Sequence, residues 1–144
     1  MRVHEIMHHV LSVSGGLSVT DVAKRMDTDG TDSVLVHHSG ITGICTEHDI
    51  LRKIVASGRN PSQVSVADVM SYPLHTISWD DSVEDASERM NDLHVRRLVV
   101  IHDANIIGVI SAACIARNVK YIIARRLTSP ALSEGLYERN LMLG

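Results

Sequence analysis

The sequence predicts an α/β protein of the α+β type, built from two tandem β-α-β-β-α repeats, and three observations carry that prediction. Ser18–Met26, SVTDVAKRM, recurs 64 residues later as Ser82–Met90, SVEDASERM. At the same offset Ser33-Val-Leu-Val36 meets Arg97-Leu-Val-Val100, and one residue further out Gly43-Ile-Cys-Thr46 meets Gly108-Val-Ile-Ser111. Upstream, HEIM ending at Met7 matches ADVM ending at Met70. A duplicated order of this kind is the mark of repeated supersecondary units, each too small to bury its own apolar face alone.

Each half opens with a short extended piece, Val10 to Val13 and Leu74 to Ile77. A Ser-x-x-Asp cap at Ser18 and at Ser82 then starts a helix, since a serine hydroxyl accepts from an otherwise orphaned backbone N–H. Apolar residues follow at helical spacing: Val19, Val22, Ala23 and Met26, then Val83, Ala86 and Met90. Two β-rich runs come next, Val34 to Val36 with Ile41 to Cys45, and Leu98 to Ile101 with Ile106 to Ile110. A second helix begins near Thr46 or Ser111, and Gly58-Arg-Asn-Pro-Ser62 separates the halves. The last helix spans Ala112 to Leu127, with Ile115, Val119, Ile122, Ile123 and Leu127 forming its apolar stripe, and Ser129-Pro130 ends it. The repeats therefore span 1–63 and 64–127. A tail, 128–144, is expected to pack on the domain or on a second copy.

Composition narrows the function. Aromatic residues make up 3% of the chain, with no Phe and one Trp, so the core is aliphatic and a ladder for stacking bases is missing. A net charge of −3 argues against nucleic acid as partner. No run approaches the ~18 apolar residues of a membrane span, and MRVHEIMHHV has no apolar signal core. Two cysteines without zinc-type spacing fit a reducing compartment, so a cytoplasmic location is expected. The pairs His8-His9 and His37-His38 point to opposite faces of an extended chain, and no metal site is predicted. No nucleophile–base pair or metal cluster suggests catalysis.

The chemistry concentrates in GICTEHDI, Gly43 to Ile50. Thr46 followed three residues later by Asp49 is the spacing of a helix cap. It is also that of a phosphate- and ribose-binding turn, where a helix N-terminus presents free N–H groups to an anion. Both readings stand on spacing alone.

Taken together, VHEIM, SVTDVAKRM, DSVLVHHSGITGICTEHDILRKIVASGRNP, VADVM, SVEDASERM, VRRLVVI and IIGVISAACIA resemble a tandem pair of cystathionine-β-synthase (CBS) domains, a Bateman module, from about Val3 to Ala116. The resemblance implies two repeats packed about a pseudo-two-fold axis with two clefts between them. It also implies binding of an adenine nucleotide (AMP, ADP or ATP, or alternatively S-adenosylmethionine), a regulatory role, and a homodimer. Carried over to this chain, the ribose and phosphate motif falls on Gly43, Thr46 and Asp49. The phosphate contacts fall on Arg96 and Arg97, and the backbone facing adenine on Leu74, His75 and Thr76. The second cleft departs from the pattern. Cys114 stands at the position of the acid, and Asp32 at the position of Arg96. One competent site per chain is expected. A constitutive dimerisation or partner-docking module, its clefts decayed, is the alternative.

Overall fold

The computed structural model describes residues 1–128; the tail and the Ser129-Pro130 stop lie outside them. Its elements run in the expected order, β-α-β-β-α twice. The first series is β1 (Leu11–Ser14), α2 (Val19–Asp29), β2 (Ser33–His38), β3 (Ile41–Thr46) and α3 (Glu47–Ile50). The second is β4 (Thr76–Ser78), α4 (Val83–Leu93), β5 (Arg97–His102), β6 (Asn105–Ser111) and α5 (Ala112–Leu127). A further single turn, α1 (Val3–Ile6), precedes them. Two three-stranded sheets result, ordered β1-β2-β3 and β4-β5-β6. In the first, β1 and β2 are parallel, joined through α2, and β2 and β3 form a hairpin.

The serine caps form as the spacing requires. Ser18 Oγ accepts from Asp21 N at 3.1 Å, and Ser82 Oγ accepts from Asp85 N at 3.0 Å. Behind them Val19, Val22 and Met26 bury one face of α2, and Val83, Ala86 and Met90 bury one face of α4. Each large aliphatic side chain removed from water contributes about 1.5–3 kcal/mol before entropy is counted. Both helices end in the left-handed conformation, at Gly30 (φ 66°) and at His94 (φ 55°). The following N–H, of Thr31 or Val95, returns to the carbonyl of Met26 or Met90, both at 3.0 Å. Only the first stop is written in glycine. The second uses a histidine that bears a steric cost.

The chain sorts into two compact units that do not follow the sequence repeats. One comprises His8–Thr76 with Ile107–Val109; the other comprises, among the described residues, Met1–Met7, Ile77–Ile106 and 110–128. Each repeat's leading segment has gone to the other repeat's unit. In the first-repeat unit, Val19 N donates to Val64 O at 2.9 Å and Val66 N to Leu17 O at 2.8 Å, and Val64, Val66 and Val69 complete the core around Val22, Val34 and Ile54. In the second-repeat unit, Val3 N donates to Asp81 O at 2.9 Å and Val83 N to Met1 O at 3.0 Å. Val3 and Ile6 there join Leu98, Val100 and Ile110. The physical reason is that a three-stranded sheet with one long helix on it leaves apolar surface at its edge, and a short apolar segment covers it. Of the stripe on α5, Ile115 and Ile122 pack on that core, while Val119, Ile123 and Leu127 remain about half exposed at 48%, 52% and 52%.

The N-terminal segment is also held electrostatically. Arg2 N donates to Glu5 Oε2 at 2.6 Å, and the Arg125 guanidinium pairs with Glu5 Oε1. The Arg2 backbone N–H foremost, then Arg125, holds the Glu5 carboxyl at about 2 against its ordinary 4.5. Because the folded value is the lower one, this contribution is complete above pH 4.5 and is lost as the pH falls toward 2. The melting-temperature gap between wild type and Glu5→Gln should therefore be widest above pH 4.5 and close across that window. A gap that does not change with pH would contradict the assignment.

Candidate functional site

Thr46 ends β3 and caps α3, and the structure builds a reciprocal box there. Asp49 N donates to Thr46 Oγ1 at 3.1 Å, and Thr46 N donates to Asp49 Oδ2 at 3.0 Å. The Thr46 hydroxyl also donates to Oδ2 at 3.2 Å. On the other oxygen, Oδ1, Asp49 accepts from Ser71 Oγ at 2.9 Å and faces Lys53 Nζ at 3.1 Å. Asp49 is 7% exposed and is the one charged side chain in the buried set of the described residues. A buried carboxylate needs this many donors, because an unpaired one would pay the desolvation cost in full. After Ile50 the helix widens into a π segment, Leu51–Val55, and Lys53 on it reaches Val69 O at 2.8 Å as well as Asp49.

Gly43 lies on β3, and its bare Cα is used by the chain itself. An added Cβ would lie 2.6 Å from Met70 Sδ and 2.9 Å from the Ser71 carbonyl oxygen. Directly beside it, Ile44 N donates to Ser71 O at 3.0 Å and Ser71 N to Ile44 O at 2.7 Å. The connecting segment thus docks on the edge of β3 and delivers Ser71 to Asp49. Cys45 is buried next to the site, and burial, reinforced by the charge of Asp49, pushes its thiol up to about 12.

Gly43, Thr46 and Asp49 are therefore brought together in the first-repeat unit. Leu74, His75 and Thr76 belong to the same unit, with Leu74 half-buried, His75 exposed and Thr76 opening β4. Arg96 and Arg97 belong to the second-repeat unit. Arg96 is exposed and borders a groove of about 470 Å³ lined also by Met90, Asn91, His94, Ala112 and Ile115, and its carbonyl accepts from Ala112 N at 2.8 Å at the start of α5. Arg97 opens β5 and is half-buried.

The second repeat offers an internal control. Ser111 Oγ accepts from Cys114 N at 3.0 Å, so the hydroxyl caps α5 with no acid present. Cys114 is 5% exposed, and its thiol donates to Ile6 O at 2.7 Å. Where the first repeat has a carboxylate gathering donors, the second has a donor satisfied by backbone.

Sequence reading missed Ser71 and Lys53 as partners of Asp49. Lys53 was accessible through its i+4 spacing from Asp49. Ser71 is 22 residues away and carries no local signal.

The CBS domain model matches the chain twice, over residues 3–56 and 66–121. The chain belongs to the CBS-domain family, as a tandem pair. Among relatives, an uncharacterized protein of Methanopyrus kandleri is 31% identical over 118 residues, 80% of this chain and 60% of that protein. The CBS domain-containing protein YhcV of Bacillus subtilis is 30% identical over 110 residues, 76% of this chain and 78% of YhcV. The chain spans about 60% of the length of the archaeal relatives it matches. Among solved structures, a hexameric CBS-CP12 protein from bloom-forming cyanobacteria superposes with a TM-score of 0.77 at 27% identity, covering 85% of this chain and 74% of that one. A conserved CBS-domain protein of Thermoplasma acidophilum shares the fold, with a TM-score of 0.73 at 22% identity over 81% of this chain and 68% of that one. Among the described residues no helix is long and apolar enough to cross a membrane.

The close approach at Gly43 is directly testable. Gly43→Ala should lower the unfolding free energy by about 1–3 kcal/mol, the usual cost of overpacking, because the Ser71 carbonyl cannot rotate away as a side chain end can. Chemical denaturation measures it, and a loss below about 0.5 kcal/mol would mean the connecting segment yields freely.

Proposed function

We propose that this CBS pair is a non-catalytic regulatory module that binds an adenine nucleotide at one site per chain, with Asp49 as the ribose acceptor. The observation that carries the reading is the comparison of the two helix starts. Thr46 and Ser111 both cap their helices through the hydroxyl, so Asp49 is not needed to begin α3. A buried carboxylate at a helix N-terminus has the chemistry to accept from a ribose hydroxyl, and the dipole there favours a nearby anion. The family pattern assigns the phosphate end to Arg96 and Arg97, whose planar guanidiniums fork onto phosphate oxygens, and the adenine end to the backbone of Leu74, His75 and Thr76. At the equivalent position Cys114 donates to Ile6 and offers no carboxylate, which supports a single site. Regulation then follows from differential affinity: ligand favours whichever arrangement binds it better, and a protein partner reads the shift.

Calorimetric titration with AMP, ADP, ATP and S-adenosylmethionine tests this. One ligand per chain is expected, weakened about tenfold or more by Arg96→Ala, the loss expected of a charge-assisted hydrogen bond, and by Asp49→Asn. Arg96 is exposed, so that variant leaves the fold intact. Absence of binding by all four would end the nucleotide reading, and two equal sites would end the asymmetry.

A second reading, a constitutive assembly module, draws on α5, where Val119, Tyr121, Ile123 and Leu127 are exposed, and on the hexameric state of the cyanobacterial relative. In either reading we infer a homodimer or larger homo-oligomer. Sedimentation should show an assembly that Val119→Glu with Ile123→Glu dissociates; a monomeric wild type would exclude it.

A further inference from the structure

All of the acceptor capacity of Asp49 is taken up within the chain, and the four donors fall into two groups. A carboxylate offers about four acceptor sites. Oδ2 serves Thr46 alone, through its N–H and its hydroxyl at 3.0 and 3.2 Å, and so belongs to the helix start. Oδ1 serves two residues from outside that turn, Ser71 at 2.9 Å and Lys53 at 3.1 Å. Both of these also hold the connecting segment. Ser71 is paired with Ile44 through two backbone hydrogen bonds, and Lys53 donates to Val69 O at 2.8 Å. The same oxygen therefore ties Val69, Met70 and Ser71 to β3 and would meet an incoming hydroxyl.

We propose that Ser71 and Lys53 form a latch on Asp49 Oδ1, and that a cis-diol ligand takes this oxygen only by displacing the Ser71 hydroxyl, loosening the Val69–Ser71 segment from β3. The proposal rests on the reading of Asp49 as a ribose acceptor and adds the regulation of that site. Ser71 is a positioning residue that competes with ligand for one oxygen, and the segment it belongs to is the part of the fold that responds to occupancy. Displacement is inexpensive, because one neutral hydroxyl donor is exchanged for another on the same carboxylate. It is also confined: Val64 and Val66 pack in the first-repeat core upstream of the latched segment.

Two measurements on the full chain decide it. Hydrogen exchange at the Ile44 and Ser71 amides should quicken about fivefold or more in Ser71→Ala and in Lys53→Met, the loss of one net hydrogen bond, while Val100 in β5 keeps its rate. Ser71→Thr, which restores a hydroxyl, should return exchange to near the wild-type rate. Unchanged exchange at Ile44 and Ser71 in both variants overturns the latch. Titration with AMP, ADP and ATP should show Ser71→Ala binding about fivefold more tightly than wild type, the opposite of what a merely structural residue would give. Equal or weaker binding by Ser71→Ala overturns the competition and leaves the ribose reading intact. If wild type binds none of the three, the ribose reading and the competition fall together.

Discussion

The two backbone hydrogen bonds between Ile44 and Ser71, made across the bare face of Gly43, are the constraint on which the first-repeat unit depends. They fix a segment of the second repeat onto the edge of β3. Once it is there, Val69 offers its carbonyl to Lys53 and Ser71 its hydroxyl to Asp49. Without that docking Asp49 would lose Ser71 and keep only its local partners, Thr46 and Lys53, and the aliphatic core around Val22 and Ile54 would lack Val64, Val66 and Val69.

The duplication repeats this device with different chemistry. His8 and Val109 form the bridge that corresponds to Ser71 and Ile44, with N–H donors returned in both directions at 3.0 Å. In the second-repeat unit the N-terminal segment brings Ile6 to Cys114, where a carbonyl meets a thiol. The backbone bridge is alike in both units, while the side chain beside it is an acceptor in one and a donor in the other. That difference sets a polar corner holding a carboxylate against one sealed by backbone, and it makes the two repeats chemically unequal.

Much of the fold was legible in residues. Ser18 and Ser82 announced α2 and α4, the β-branched runs announced the hairpins, and the repeated order announced two sheets. The stops were less so. Gly30 is a glycine where a left-handed residue is needed, whereas His94 adopts the same conformation with nothing local to declare it. Of the candidate site, Gly43, Thr46 and Asp49 were readable because cap chemistry is local. The role of Gly43 was not, since its crowding comes from Met70 and the Ser71 carbonyl.

By itself the sequence determined the duplication, the family, the element order and the asymmetry between Asp49 and Cys114, all of which rest on residue identity and short spacing. Only the tertiary structure decided which segment completes which unit and that Ser71 reaches Asp49. Both are settled by apolar surface left at a sheet edge and by hydrogen bonds between residues about twenty to a hundred positions apart. Burial and pairing at that range follow from where the backbone has packed, and no local pattern encodes them.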